Sequence, residues 1–367
     1  MRFGIFSIFD YWPRVKNVSR YFSDILDLAE RAEVLGFDTF WISEHHFTNY
    51  GGILPRPQIL LAALAQRTHT IRLGTAVSLI PFDNPVRLAE DFGLIDVLSG
   101  GRLEFGVGRG LFGFEYDGLG IHPDESRARL EEGVEVIRAA WQSEHLTYAG
   151  RFTNVDNLTI LPRPLQKPHP PLYVAAVSPE SYEWAGREGH SILQVLYFAP
   201  IEGTAKQVVD YRSRLKQHRH DSSSKMLVAI SPTHVAATSE SAKQEAAEPL
   251  MNYVGMVGEL LPTETKSEQY RAYTKLRPAM KKLTYDVLYS ERPTVIGDPD
   301  QVIRRIENMN HILGIDEFVS FVNFGGMEHE LTLRSMELFA KQVMPHFRSR
   351  GESRSPEAQN YAQGETK

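Results

Sequence analysis

The chain has no cysteine among its 367 residues. This absence excludes disulfides, a thiolate nucleophile, and zinc or iron–sulfur sites built on cysteine. No apolar stretch approaches the ~20 residues that a membrane-spanning helix needs. Basic residues are not in excess either: the formal net charge is −6, so no global field attracts nucleic acid. We therefore expect neither a membrane nor a nucleic acid among the partners of this chain.

The composition that remains is typical of a globular protein. Apolar residues make up 42% and charged residues 23% of the chain, which is enough to build a large core. The first apolar run is short and is broken by Asp10 and Pro13, so it predicts a strand rather than a signal peptide. Cysteine usage does not define the compartment, and with no export signal we expect a cytoplasmic protein.

Apolar runs that suit buried strands alternate along the chain with segments of helical periodicity. Several of the runs are almost continuously apolar, which is typical of parallel strands that are covered on both faces. About eight strand–helix pairs follow one another, and they predict the α/β class with a closed (β/α)8 TIM barrel. A doubly wound open sheet is the alternative. The predicted strands are 3–9, 38–43, 71–80, 102–108, 172–177, 192–198, 226–237 and 318–324.

We expect a single barrel domain over residues 1–347 with two insertions. The first, at about 143–171, is predicted to form a hairpin and a proline-rich return. The second, at about 239–295, holds more helical sequence than one crossover needs and is our candidate for a lid. Residues 348–367 are polar and poor in apolar side chains, so they predict a disordered tail.

Functional side chains of such a barrel collect at the C-terminal ends of its strands. Arg109 stands there between two glycines, where a guanidinium can grip phosphate oxygens. A salt bridge to a carboxylate at the barrel end is the alternative. Ser178 and Ser181 stand at the start of a short helix, whose free N–H groups favour an anion. Plain N-capping is the alternative for these serines.

The second predicted strand ends in an acid and two histidines, Glu44, His45 and His46. Neighbouring strand residues point to opposite faces, so the two imidazoles cannot easily chelate one ion. No third ligand with zinc-like spacing is visible, and we predict no metal site. A histidine that acts as a general acid or base near neutral pH is one interpretation. A hydrogen-bonded structural histidine is the other.

Several segments, in the same order along the chain, resemble the bacterial luciferase-like flavin monooxygenase family. The resemblance runs to about residue 347 and is to the luciferase catalytic subunit rather than to deazaflavin-dependent relatives. The segments are 37–48 (FDTFWISEHHFT), 73–76 (LGTA), 85–91 (PVRLAED), 98–102 (LSGGR), 108–111 (GRGL), 173–178 (YVAAVS), 183–185 (EWA) and 343–347 (VMPHF).

This resemblance implies a TIM barrel that takes up reduced FMN (FMNH2) and uses O2. A C4a-(hydro)peroxyflavin would then oxygenate a small organic substrate by hydroxylation or in a Baeyer–Villiger manner. The family further implies a two-component enzyme, in which a separate NAD(P)H:flavin reductase supplies FMNH2, and a homodimer. One alternative is a deazaflavin-dependent oxidoreductase that transfers hydride on the same barrel. A non-catalytic flavin-binding partner subunit is the other.

The resemblance also assigns roles to single residues. His45 matches the catalytic histidine of the family. Ala76 and Val77 match a pair joined by a non-prolyl cis peptide bond that lies against the flavin ring. Arg109 matches the arginine that binds the flavin phosphate. The other positions matched to the cofactor site are Glu44, Leu111 and Val177, the last two through their backbones, and Ser178 and Ser181.

Overall fold

The computed structural model of the chain describes residues 1–265 and 267–348. Eight parallel strands form a closed barrel, in which each strand pairs with the next along the chain and the last pairs with the first. The predicted (β/α)8 TIM barrel is therefore confirmed, and the open sheet is wrong. The barrel strands are β1 (Arg2–Ser7), β2 (Thr39–Ile42), β3 (Arg72–Thr75), β4 (Leu103–Gly108), β5 (Leu172–Ala175), β6 (Ser191–Val195), β7 (Leu227–Val235) and β8 (Glu317–Phe321).

Helices surround the barrel and begin where the sequence offers a cap or a proline. The Asn17 and Asn84 side chains accept backbone N–H groups at two of these helix starts. Proline occupies the first turn of several others, where its missing N–H costs nothing. The helices are α1 (Val18–Val34), α2 (Pro57–Arg67), α3 (Pro85–Leu98), α4 (Gly113–Leu119), α5 (Ser126–Gln142), α6 (Pro179–Glu188), α7 (Ile201–Gln217), α8 (Ser239–Leu260), α9 (Leu276–Met280), α10 (Tyr285–Glu291), α11 (Pro299–Leu313), α12 (His329–Leu338) and α13 (Met344–Arg348).

Other predicted strand ends differ from the observed ones by up to three residues, and two further boundaries are wrong. The strand expected at 71–80 is divided, because a cis peptide bond between Ala76 and Val77 separates β3 from a short strand, Ser78–Leu79. Helix α12 continues through a π-helical stretch, Phe339–Val343, into α13, which ends at Arg348. Arg348 thus belongs to a helix and not to the tail, and the remainder of the predicted tail lies outside the described residues.

Both insertions have secondary structure of their own. The first contains an antiparallel hairpin, Leu146–Ala149 with Asn154–Leu158, and its return includes cis prolines at Pro162 and Pro168. The second contains α8, a 3-10 helix (Glu268–Lys275), α9 and α10, after which a short strand, Val295–Gly297, pairs with β7. Within residues 1–265 and 267–348, no helix combines the length and the apolar content that a bilayer crossing requires.

The core has two layers because successive strand residues point to opposite faces. Alternate residues of β1 show this: Phe3 and Ile5 pack with the surrounding helices, whereas Phe6 packs inside the barrel with Trp41 and Phe321. Gly74 in β3 is required by this interior, since a Cβ there would overlap the Trp41 ring. The barrel is therefore filled by side chains and is not a pore.

Arg102 joins the C-terminal end of α2 to the turn that precedes β4. The residue is only 9% exposed. Burial lowers the pKa of its guanidinium, which donates to several carbonyl groups that helix and turn geometry leave without partners. The acceptors are the Ser99, Ala65, Thr68 and Ile71 carbonyl oxygens and the Thr68 hydroxyl, at 2.6–3.0 Å.

We expect Arg102→Lys to destabilise the fold by about 3 kcal/mol, because an ammonium cannot serve these acceptors with the planar fork of a guanidinium. Urea unfolding of the wild type and the variant measures the difference. The exposed Arg87 on α3 provides the control, and Arg87→Lys is expected to leave the unfolding midpoint unchanged. Equal midpoints for all three proteins would contradict this account of Arg102.

Candidate functional site

The residues singled out from the sequence follow four neighbouring strands, β2 to β5, at their C-terminal ends. Since parallel strands end at the same rim of a barrel, these residues meet at one mouth of the molecule. Glu44 and His45 follow β2, Ala76 and Val77 follow β3, Arg109 and Leu111 follow β4, and Val177, Ser178 and Ser181 follow β5.

Glu44 is buried and links two loops of the mouth. One of its carboxylate oxygens accepts hydrogen bonds from the Ser78 hydroxyl and the Leu79 amide, both at 3.1 Å. The other oxygen lies 3.2 Å from Nε2 of His46. Glu44 thereby fixes the segment that directly follows the cis peptide bond and orients the second histidine of the motif.

His45 is held by a buried carboxylate. Its Nδ1 lies 3.0 Å from Oε1 of Glu115, which also accepts the His46 amide at 2.9 Å. Glu115 is fully buried at the start of α4, and we assign the Nδ1–H tautomer because a carboxylate accepts hydrogen bonds. The imidazole ring lies against Tyr50 and Phe112, at centroid distances of 4.9 and 5.5 Å. This arrangement leaves Nε2 as the nitrogen for proton transfer.

The surface between β3 and β4 is made of small groups. The peptide bond between Ala76 and Val77 is cis, as the resemblance implied, and both side chains are half-buried. A Cβ on Gly108 would collide with the Val77 side chain, and one on Gly106 would collide with the Thr75 carbonyl oxygen. These two glycines therefore allow the close approach of β4 to the segment that carries the cis peptide bond.

Two arginines and two serines gather at the start of α6. Nη2 of Arg127 on α5 lies 3.5 Å from the Ser178 hydroxyl and 3.4 Å from the Ser181 hydroxyl, and the two hydroxyls are 3.3 Å apart. Burial, followed by the charge of Arg109, lowers the pKa of Arg127. The Ser178 side chain makes no capping hydrogen bond, so the N-cap interpretation does not account for it. The cluster offers donors and positive charge to a phosphate group, beside the carboxylates of Glu131, 3.7 Å from Nη1 of Arg127, and of Glu180.

Val177 and Leu111 flank this cluster. Val177 is 49% exposed and directly precedes Ser178. Leu111 is half-buried and follows Gly110, whose φ of +89° lies in the left-handed region. Both side chains are apolar, and only their backbone groups can serve an anion.

The second insertion covers the Arg109 side of the mouth. The Arg109 guanidinium lies over the Tyr270 ring, 5.1 Å from its centroid, and Nη2 is 3.5 Å from the Tyr273 hydroxyl. Tyr270 also donates to the Gly110 carbonyl at 2.9 Å. The insertion therefore reaches the candidate site, as a lid must; that it opens and closes remains a prediction.

The sequence reasoning missed Glu115 and Arg127. Glu115 lies in a stretch of alternating aromatic residues, Phe112 to Tyr116, which carried only the weak signal of a core or ring-binding wall. Arg127 is the second residue of a long amphipathic helix, far from any strand end. No local pattern connects either residue with the motifs at the strand ends, and only the packing of α4 and α5 over the mouth does so.

Comparison with known proteins assigns the family. Residues 1–317 match the luciferase-like monooxygenase family, and the chain belongs to it. Its fold resembles the crystal structure of the monooxygenase RslO1 from Streptomyces bottropensis with a TM-score of 0.83 and 31% identity, covering 95% of this chain and all of that one. The expectation of an enzyme of the monooxygenase class is thus confirmed.

One further relative and one structural neighbour cover nearly the whole chain. The oxygenase component of a flavin-dependent trigonelline monooxygenase from Acinetobacter baylyi is 28% identical over 359 residues, which are 95% of this chain and 96% of the relative. A coenzyme F420-dependent tetrahydromethanopterin reductase from Methanopyrus kandleri shares the fold with a TM-score of 0.71 and 20% identity, over 94% of this chain and 99% of the reductase. The second likeness concerns the fold alone.

We expect inorganic phosphate to bind between Arg127 and the two serines and to stabilise the protein. At ten times its dissociation constant the gain would be about 1.4 kcal/mol, which thermal unfolding resolves. Arg127→Leu should abolish the gain. Arg129, two residues further along α5, pairs with Glu125 at 2.8 Å, and Arg129→Leu should retain the gain. The same loss in both variants would argue against an anion site at Arg127.

Proposed function

We propose that this chain is the oxygenase component of a two-component, FMN-dependent monooxygenase. It takes up FMNH2 from a separate NAD(P)H:flavin reductase, transfers one atom of O2 to a small organic substrate and releases the other as water. The observation that carries the proposal is the joint placement, at one barrel mouth, of an anion cluster around Arg127 and a carboxylate-bound histidine, His45.

The residues at the mouth fit a flavin mononucleotide. Arg109, Arg127, Ser178 and Ser181 would hold its phosphate, with the backbones of Leu111 and Val177 beside it. The cis peptide bond between Ala76 and Val77, with its half-buried side chains, would be the surface against which the flat ring lies. When bound, reduced FMN supplies the electrons with which O2 is activated.

The protein's own part is to place a proton donor or acceptor and to keep water away. His45 would exchange a proton at Nε2, while Glu115 holds Nδ1–H and stabilises the imidazolium that forms. Glu44 fixes the loop after the cis peptide bond and keeps the ring-binding surface in shape. Tyr270 and Tyr273 cover the phosphate end, which supports a role of the second insertion in excluding solvent.

Two other functions compete with this proposal. A deazaflavin-dependent enzyme on the same barrel would transfer hydride without O2, and the F420-dependent reductase shares that fold. A flavin-binding partner subunit without activity would not require a histidine such as His45, whose ring is held by a buried carboxylate. We favour the monooxygenase because the relatives of this chain include a flavin-dependent oxygenase component that matches nearly its whole length.

We expect the protein, supplied with FMNH2 and O2, to incorporate one 18O atom from 18O2 into a member of a substrate panel; mass spectrometry reads the products. His45→Ala should lower this turnover by about 10²- to 10⁴-fold, the contribution of a general acid or base. His69→Ala, at an exposed histidine, is the control and should retain activity. Hydride transfer that ignores O2 would favour the deazaflavin enzyme, and unchanged turnover in His45→Ala would remove the proposed role of His45.

We also propose that the protein acts in the cytoplasm, where NAD(P)H-dependent reductases work. We further propose that it forms a homodimer. Helices α2 and α3 pack side by side and expose apolar side chains to solvent. Monomeric proteins rarely leave such a face uncovered, and two-fold assemblies commonly use one. The exposed fractions are 72% for Ile59, 45% for Leu94, 37% for Val97 and 41% for Leu98.

Leu94→Asp should convert the dimer to a monomer, because two carboxylates would be buried at a two-fold interface without partners. Size-exclusion chromatography with light scattering measures the mass. Val209 on α7 is 53% exposed on another face, and Val209→Asp should leave the dimer intact. A wild-type monomer at micromolar concentration would refute the proposed assembly.

A further inference from the structure

Three buried tyrosine hydroxyls form a hydrogen-bonded chain across the barrel mouth. The Tyr253 hydroxyl lies 3.1 Å from that of Tyr50 and also bonds that of Tyr197. Tyr50 follows β2 and Tyr197 follows β6, which stand on opposite sides of an eight-stranded barrel. Tyr253 belongs to α8, in the second insertion. The insertion is thus fastened to both sides of the mouth.

One end of this chain lies against the candidate catalytic histidine. The Tyr50 and His45 rings are 4.9 Å apart, and Tyr50 meets Phe112 edge to face. The adjoining Gly51 leaves no space, since a Cβ there would lie 2.7 Å from Cδ2 of His45. A shift of the Tyr50 ring would therefore be transmitted to the imidazole.

Because Tyr50 and Tyr253 are both buried, the hydrogen bond between their hydroxyl groups restricts the positions of both side chains. Tyr50 is 3% exposed and Tyr253 is fully buried, in a cluster that is otherwise largely apolar. Water cannot replace a lost partner there, so each hydroxyl is constrained to its neighbour. The Tyr253 ring itself packs against Phe321 at 5.0 Å, which keeps the ring in place even without its hydroxyl.

We propose that Tyr253 is a positioning residue for His45, and that helix α8 of the insertion fixes the imidazole through Tyr50. His45 is then held from two sides: Glu115 on α4 binds Nδ1, and the tyrosine chain supports the ring face. The catalytic meaning of this arrangement rests on the proposed function, whereas the positioning itself is a property of the protein without flavin. The insertion accordingly acts on the reacting group as well as covering the mouth.

Tyr253→Phe tests the proposal because it retains the ring and removes one hydroxyl. In flavin-free protein, the ring resonances of His45 should move in NMR spectra. The pH profile of turnover should also change, and the rate should fall by about fivefold, the scale of one hydrogen bond. Tyr211→Phe is the matched control: it removes a buried hydroxyl on α7 that donates to the His190 carbonyl at 2.8 Å, and it should leave His45 unaffected.

Tyr50→Phe provides a second route if Tyr253→Phe fails to fold. Both single variants should move the His45 resonances in the same direction, and the double variant should add less than the sum of the two. Unchanged His45 resonances in folded Tyr253→Phe or Tyr50→Phe would overturn the inference, whatever the effect of these substitutions on turnover. If the resonances move while His45→Ala keeps full turnover, the positioning stands and the proposed role of His45 fails.

Discussion

Two guanidinium groups of like charge are held together at the barrel mouth, and the arrangement of the site depends on this. Burial and the charge of Arg109 both disfavour the charged form of Arg127, and the Glu131 carboxylate, 3.7 Å from Nη1 of Arg127, offsets this only in part. An anion between the guanidiniums would turn their repulsion into attraction. A phosphate there would favour the charged form of Arg127, whose Nη2 already lies within 3.5 Å of both serine hydroxyls.

The second constraint is the fixed orientation of His45. A carboxylate on α4 binds one ring nitrogen and also the backbone of the next residue, so the imidazole and its loop are held together. Preorganisation of this kind lets a histidine transfer protons without first reorienting. The tyrosine chain from α8 adds a second support from a distant part of the chain.

The second insertion therefore has two contacts with the mouth. Its 3-10 helix lies over Arg109 through Tyr270 and Tyr273, and its long helix reaches the mouth through Tyr253. A single insertion thus touches both the candidate phosphate end and the candidate proton-transfer end.

The sequence alone determined the barrel, because the alternating strand and helix periodicities are local. The pattern of apolar residues in each element shows which of its faces is buried. The sequence also placed the candidate site residues at strand ends, such as His45 and Arg109, at one mouth, since parallel strands bring their ends to one rim. Only the tertiary structure decided the positions of Glu115, Arg127 and Tyr253, which lie on helices whose orientation depends on packing with distant segments. It also showed that residues 71–80 do not form one strand, because the strand periodicity is apolar on both sides of the cis peptide bond between Ala76 and Val77 and does not reveal the break.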